Sequence, residues 1–202
     1  MVSHIVGGAL GILAIPACVI AAAINENVYG IISGAIFGAT MLILYCMSSI
    51  YHGLSPKLKA KKVFQVIDHC TIFVLIAGTY TPFTLCTIRS FSTATGWIIF
   101  GVIWAAAALG ITLNAIDLKK YKIFSMICYL VMGWCILSVA VPTVKALTLN
   151  GALLLLAGGI CYTLGAVLYG IGSKKKYFHS VFHIFCVFGS IFHFICILLY
   201  VM

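Results

Sequence analysis

The chain has 202 residues, of which 64% are apolar and 7% charged, a makeup that excludes an ordinary water-soluble domain. Its net charge of +9 does not mark a nucleic-acid binder, because the lysines sit in short gaps between apolar runs and form no basic solvated face. Nine cysteines fall singly inside apolar runs, which argues against a disulfide framework or a zinc ribbon and for small packing residues.

Each helical crossing of a bilayer needs about 20 mostly apolar residues, because unpaired backbone amides are too costly in hydrocarbon. Cuts at the polar clusters predict seven spans, at 5–24, 28–53, 63–86, 96–116, 123–142, 149–171 and 178–201. The first run is as long as a span and lacks a basic stretch before it, so it is expected to remain as a helix and not to be cleaved as a signal. The breaks are Asn25-Glu26-Asn27, Lys57 to Lys62, Arg89 to Thr95, Asp117 to Lys122, Lys145 to Thr148 and Gly172 to Lys176. The predicted fold class is all-α: one polytopic membrane domain over residues 1–202, a seven-helix bundle with no sizeable part outside the bilayer.

Orientation follows from the basic residues, since Lys and Arg near span ends stay on the cytoplasmic side. Lys57, Lys59, Lys61, Lys62, Lys119, Lys120, Lys122, Lys174, Lys175 and Lys176 fall in alternate loops, against only Arg89 and Lys145 on the other side. The N-terminus is therefore expected in the cytoplasm and the C-terminus outside. The lysine loops are topology signals first; Lys57 to Lys62 also suit contact with anionic membrane lipids.

Ionisable residues inside spans are costly, so each calls for a partner or a role. The second span ends with Ser48 and His52, the third begins with Asp68 and His69, and the seventh opens with His179 and His183 and carries His193 deeper in. At 100° per residue, Gly30, Gly34, Met41, Ser48 and His52 share one stripe, and the glycines with Gly38 form a small-residue row suited to close helix contact. On the last span, His179, His183, Cys186, Ser190 and His193 share an inward stripe, opposite Val181, Phe185, Phe188, Phe192, Ile195 and Leu199.

Two histidines one turn apart, with a third from another helix, give the three protein ligands of an open catalytic zinc site. Such an ion leaves a position for water and lowers its pKa toward neutrality. The predicted metal ligands are His52, His179 and His183, with Asp68 to hold or deprotonate the water and Ser48 to hydrogen-bond water or a substrate carbonyl. His69 lies about 100° around the helix from Asp68 and is read as interface packing. His193, roughly 15 Å along the helix from His183, is too far to share the ion and is read as making an internal hydrogen bond. Gly158, Tyr162, Gly165 and Tyr169 read as a close-packing stripe with inward phenols. Pro82, in Tyr80-Thr81-Pro82-Phe83, reads as a kink whose freed carbonyl is met by Thr79 or a neighbouring helix.

Along nearly its whole length the chain resembles the haemolysin III family, the bacterial branch of the progestin and adipoQ receptor proteins. The resemblance rests on Ser48-Ser49-Ile50-Tyr51-His52, Asp68-His69 followed by Ile76 to Phe83, Tyr162-Thr163-Leu164-Gly165, and His179 through His183 leading to Gly189 to Phe194. It implies seven helices with the N-terminus inside, and a Zn2+ held near the cytoplasmic face of a bacterial plasma membrane by His52, His179 and His183, with Asp68 and Ser48 flanking its water. It also implies kinship with alkaline ceramidases, hence a zinc-dependent hydrolase of a lipid-like amide or ester. A non-enzymatic sensor or regulator of membrane energetics or sodium homeostasis, with zinc as a brace, is the competing class. A pore-forming haemolysin ranks last, because the spans are too apolar to line an aqueous channel.

Overall fold

The computed structural model describes residues 2–171 and 178–202, and the side chains of residues 2, 171 and 179 are not among those described. The helices are α1 Val2–Ile24, α2 Val28–Gly53, α3 Ala60–Pro82, α4 Thr93–Asp117, α5 Lys122–Trp134, α6 Ala140–Ile171 and α7 Phe178–Tyr200. No strand occurs among the described residues.

Local chemistry sets the helix ends. Asn27 starts α2 by accepting the Gly30 amide on its side chain at 2.8 Å, satisfying one donor of the open first turn. Ser92 does the same for α4 through the Thr95 amide. Pro82 lacks an N–H, so α3 cannot continue regularly and passes into a π-helical turn at Phe83–Ile88. There the Thr84 hydroxyl donates to the Tyr80 and Thr81 carbonyls at 2.9 and 3.0 Å. Thr79 donates instead to Leu75, so it is not the relief that the sequence suggested for the proline.

Six stretches among the described residues are long and apolar enough to cross a membrane, one fewer than predicted. The difference lies in Lys122–Gly170, 49 residues that form one such stretch and contain both predicted spans 123–142 and 149–171. As a straight helix it would reach roughly 70 Å, more than twice a hydrocarbon core. The chain breaks at Thr148, whose backbone stands at φ 60, ψ 174. The two parts then meet antiparallel: the Trp134 indole donates to the Thr163 hydroxyl at 3.0 Å, and Gly170 lies beside Met126. That backbone region is nearly restricted to glycine and costs a side-chain-bearing residue about 1–3 kcal/mol. Thr148→Gly is therefore expected to raise the melting temperature of detergent-purified protein, by a gain of about 1 kcal/mol; a lower melting temperature would contradict the strain.

Packing follows small residues. On α1, His4, Gly7, Gly11, Ala14 and Cys18 form one buried stripe at alternating spacings of three and four, the period of a single helix face. It meets the glycine row of α2 antiparallel, Gly11 against the Leu42 backbone and Gly38 against that of Ile15. Bulkier residues at those contacts would hold the helices apart. One apolar cluster joins α1, α2 and the end of α7 through Cys18, Phe37, Met41 and Ile197. A second joins α3, α4 and α5 through Phe73, Ile103, Ala107 and Met132. The exposed residues of the helices are large and apolar, Ile98, Val131, Leu153 and Phe188 among them, as a lipid-facing surface requires.

Candidate metal centre

The start of α1, the end of α2 and the starts of α3 and α7 converge at one end of the bundle. Antiparallel pairing of α1 with α2 brings His4 to His52, their rings stacked at 5.3 Å between centroids. The His183 ring stands edge-on to both, 4.1 Å from His4 and 5.0 Å from His52. One ligand atom from each of the three imidazoles can be chosen so that all lie within 4.8 Å of one another. Nitrogens about 2.0–2.1 Å from a tetrahedral ion sit roughly 3.3 Å apart, so the ligand atoms would need to close by up to about 1.5 Å. His4 is 3% exposed and His183 9%. Three neutral imidazoles with an open side are a donor set that fits zinc.

The triad opens onto a cavity of about 250 Å³ also lined by Ser48, Tyr51, Asp68, His69, Tyr169 and Phe182. Of the residues that sequence reasoning selected, His52, His183, Asp68 and Ser48 therefore share one cavity. The fifth, His179, has its side chain outside the described residues. His69 stands apart from the triad: its Nδ1 pairs with the Gln65 carbonyl at 2.8 Å and its Nε2 with the Tyr169 hydroxyl at 3.3 Å. The inward stripe of α7 takes the predicted direction, with Ser190 and His193 buried and Phe188 and Leu199 exposed. His193 Nε2 bonds the Leu155 carbonyl at 3.1 Å, the internal role expected of it. Gly158 makes room for that ring, since an added Cβ would strike it.

Below the triad, Ser190 joins two phenols. Its hydroxyl lies 2.7 Å from Tyr45 Oη and 2.7 Å from Tyr162 Oη, and the Tyr45 hydroxyl also reaches the Cys186 carbonyl at 3.1 Å. These bonds lock α2, α6 and α7 around the cavity floor. On the far wall, Ser125 donates to Asn114 at 2.6 Å and the Tyr129 hydroxyl donates to the His69 carbonyl at 2.8 Å. This network fixes the α3 segment that carries Asp68, through a fully buried Asn114 that sequence reasoning passed over.

His4 is the functional candidate that sequence reasoning missed. It precedes the predicted first span by one residue and has no histidine at helical spacing. Its signal was the small-residue stripe it heads, which turns it toward α2.

Together these features define a polytopic α-helical membrane protein with a three-histidine site that could hold a metal ion at one end of its bundle. The chain belongs to the haemolysin-III related family, whose profile matches residues 1–194. It is 35% identical to Hemolysin-3 of Bacillus cereus over 201 residues, covering 100% of this chain and 90% of that protein. It is 36% identical to the Hemolysin-3 homolog of Bacillus subtilis (strain 168) over 199 residues, 98% of this chain and 91% of that one. A more distant relative is the human Monocyte to macrophage differentiation factor, 26% identical over 170 residues, 80% of this chain and 67% of the relative. No solved structure matches the chain significantly.

Proposed function

We propose that this chain is a zinc-dependent integral-membrane hydrolase acting on an amide or ester bond of a lipid-like substrate. The observation that supports it most is the meeting of three imidazoles at the edge of a cavity that also presents Asp68 and Ser48. A purely structural ion would not need a carboxylate and a hydroxyl on its open side.

When bound, the ion supplies Lewis-acid polarisation and lowers the pKa of its water toward neutrality. His4, His52 and His183 hold it from three different helices. Asp68 takes the proton of the attacking water and returns it to the leaving nitrogen or oxygen, acting as base and then acid. Ser48, buried one turn before His52, donates to the substrate carbonyl oxygen as charge grows on it. The surrounding apolar wall keeps bulk water away from these groups, which strengthens each polar contact.

The positive-inside bias supports a cytoplasmic position for this end of the bundle, since Lys57 to Lys62 and Lys119 to Lys122 flank it; Lys174 to Lys176 lie outside the described residues. In a bacterium that membrane is the plasma membrane. The test is a panel of acyl amides and esters offered to purified protein before and after chelation. Turnover that falls with chelation and returns with zinc supports the reading. Full metal occupancy with no turnover across the panel would leave the ion as a brace between α1, α2 and α7.

A further inference from the structure

The cavity beneath the triad does not end at mid-bundle. A second cavity of about 280 Å³ continues from it, and the two share Thr79, Tyr80, Gly133, Trp134, Gly159 and His193 in their walls. Gly133 and Gly159 lie on facing helices and add no side chain to the passage, whose walls there are Tyr80, Trp134 and His193. Beyond it the lining is almost wholly aliphatic and reaches the lipid-facing surface, where Leu137, Val144, Leu153 and Leu156 are exposed. A polar occupant would lose its hydration in such a space without regaining hydrogen bonds, so the space suits one hydrocarbon tail.

The other end of the path has a different chemistry. Lys122, at the start of α5, lines the first cavity across from the α1, α2 and α7 wall that carries the histidines. Its ammonium stands 5.3 Å from the centroid of the Tyr169 ring, another lining residue, a placement that steadies the cation at the mouth. Among the other charged or titratable side chains of that lining are Asp68, His69, Tyr51, Tyr129 and Tyr169. Asp68 repels an anion from the α3 side, and Lys122 offers a counter-charge for one apart from the histidine triad. A bundle end rich in lysines also raises the local concentration of anionic amphiphiles.

We infer that the cavity takes a single-chain amphiphile with an anionic head group, a carboxylate or a phosphate, anchored by Lys122 while its tail passes Gly133 and Gly159 into the aliphatic cavity. This rests on the hydrolase reading only for what happens to the bond between; binding itself needs no turnover. The order along the ligand is set by the walls: anion at Lys122, amide or ester beside the histidines and Asp68, hydrocarbon beyond the floor. A neutral head group of equal size adds no charge opposite Lys122.

The test compares three probes that share one tail and one amide: N-palmitoylglycine, N-palmitoyl-O-phosphoethanolamine and neutral N-palmitoylethanolamine. Affinity for full-length protein in neutral detergent is read directly after mixing, for wild type, Lys122→Met, Lys122→Arg and Lys119→Met. At least one anionic probe is expected to bind about tenfold tighter than the neutral one, the worth of a charge-assisted contact, and the better anion tells carboxylate from phosphate. Lys122→Met should erase that preference, while Lys122→Arg and Lys119→Met keep it. Equal binding of the neutral probe, or a preference that survives Lys122→Met, overturns the inference. Turnover of the same probes is scored separately. Selective binding with no cleavage would sink the hydrolase reading alone, and cleavage of all three without preference would sink the anionic anchor alone.

Discussion

His183→Ala is expected to strip the metal from the purified protein. Removing one of three imidazoles leaves two ligands on an ion that prefers four, and even outer hydrogen-bond partners of metal ligands are worth about 10–100-fold in affinity. Loss of a ligand itself should exceed that range. His183 stands edge-on to both other rings, at 4.1 Å from His4 and 5.0 Å from His52, so its removal takes away one corner of the cluster. Because an ion bound only by the folded state adds to stability, the variant should also melt lower than wild type when zinc is present, and equally to wild type after chelation. His4→Ala should behave the same way, although it lies on a different helix. Metal content by mass spectrometry, read beside melting temperature with and without zinc, checks both. A His4→Ala protein with wild-type zinc content would exclude α1 from the site.

Asp68→Asn should separate chemistry from metal binding. The amide keeps the size of the side chain but cannot accept a proton from water, so turnover is expected to fall by about 10²–10⁴, the usual worth of a positioned acid or base. Zinc content should stay at the wild-type level, because Asp68 is not among the three clustered ligands. Turnover of a cleaved acyl amide unchanged by this substitution would remove Asp68 as the base. Ser48→Ala is the graded companion. It deletes one donor to the carbonyl oxygen, and a loss on the order of 10² or more in turnover is what a single such donor is worth.

The parts of the fold legible in sequence are those governed by one-dimensional patterns. Apolar length marked the helical stretches, although α5 ends at Trp134 where the span was expected to run to 142 and the next helix opens at Ala140 where 149 was expected, and helical phase turned Ser48, Ser190 and His193 inward. Glycine spacing on α2 identified the row Gly30, Gly34 and Gly38 that Ala22, Cys18 and Ile15 of α1 meet. The count differs only because Lys122–Gly170 forms one apolar stretch; its fold-back at Thr148 falls inside the break expected at Lys145 to Thr148, while the strained backbone that makes the turn has no signal on the apolar scale. Pro82 announced a kink, but not a π turn capped by Thr84.

The site divides in the same way. His52 and His183 were visible because an ionisable group inside a span stands out. His4 stood just outside the predicted boundary, and which helix it faces depends on the antiparallel pairing of α1 with α2, a three-dimensional fact. Asn114 was hidden for a related reason. It sits in an apolar helix close to its end, where an amide reads as a loop residue, and only the approach of α5 shows that it bonds Ser125 and is fully buried. The cavities were beyond sequence altogether, since volume left empty between helices has no residue of its own.

The central claim is that imidazoles from α1, α2 and α7 hold one metal ion. X-ray absorption at the zinc edge of full-length protein loaded with zinc tests it most directly. The account predicts a first shell of nitrogen or oxygen at about 2.0–2.1 Å with the outer scattering of imidazole, reduced by one ring in His4→Ala. A shell containing sulfur at about 2.3 Å, from any of the nine cysteines, or an imidazole count unchanged in the His4 variant, would contradict it.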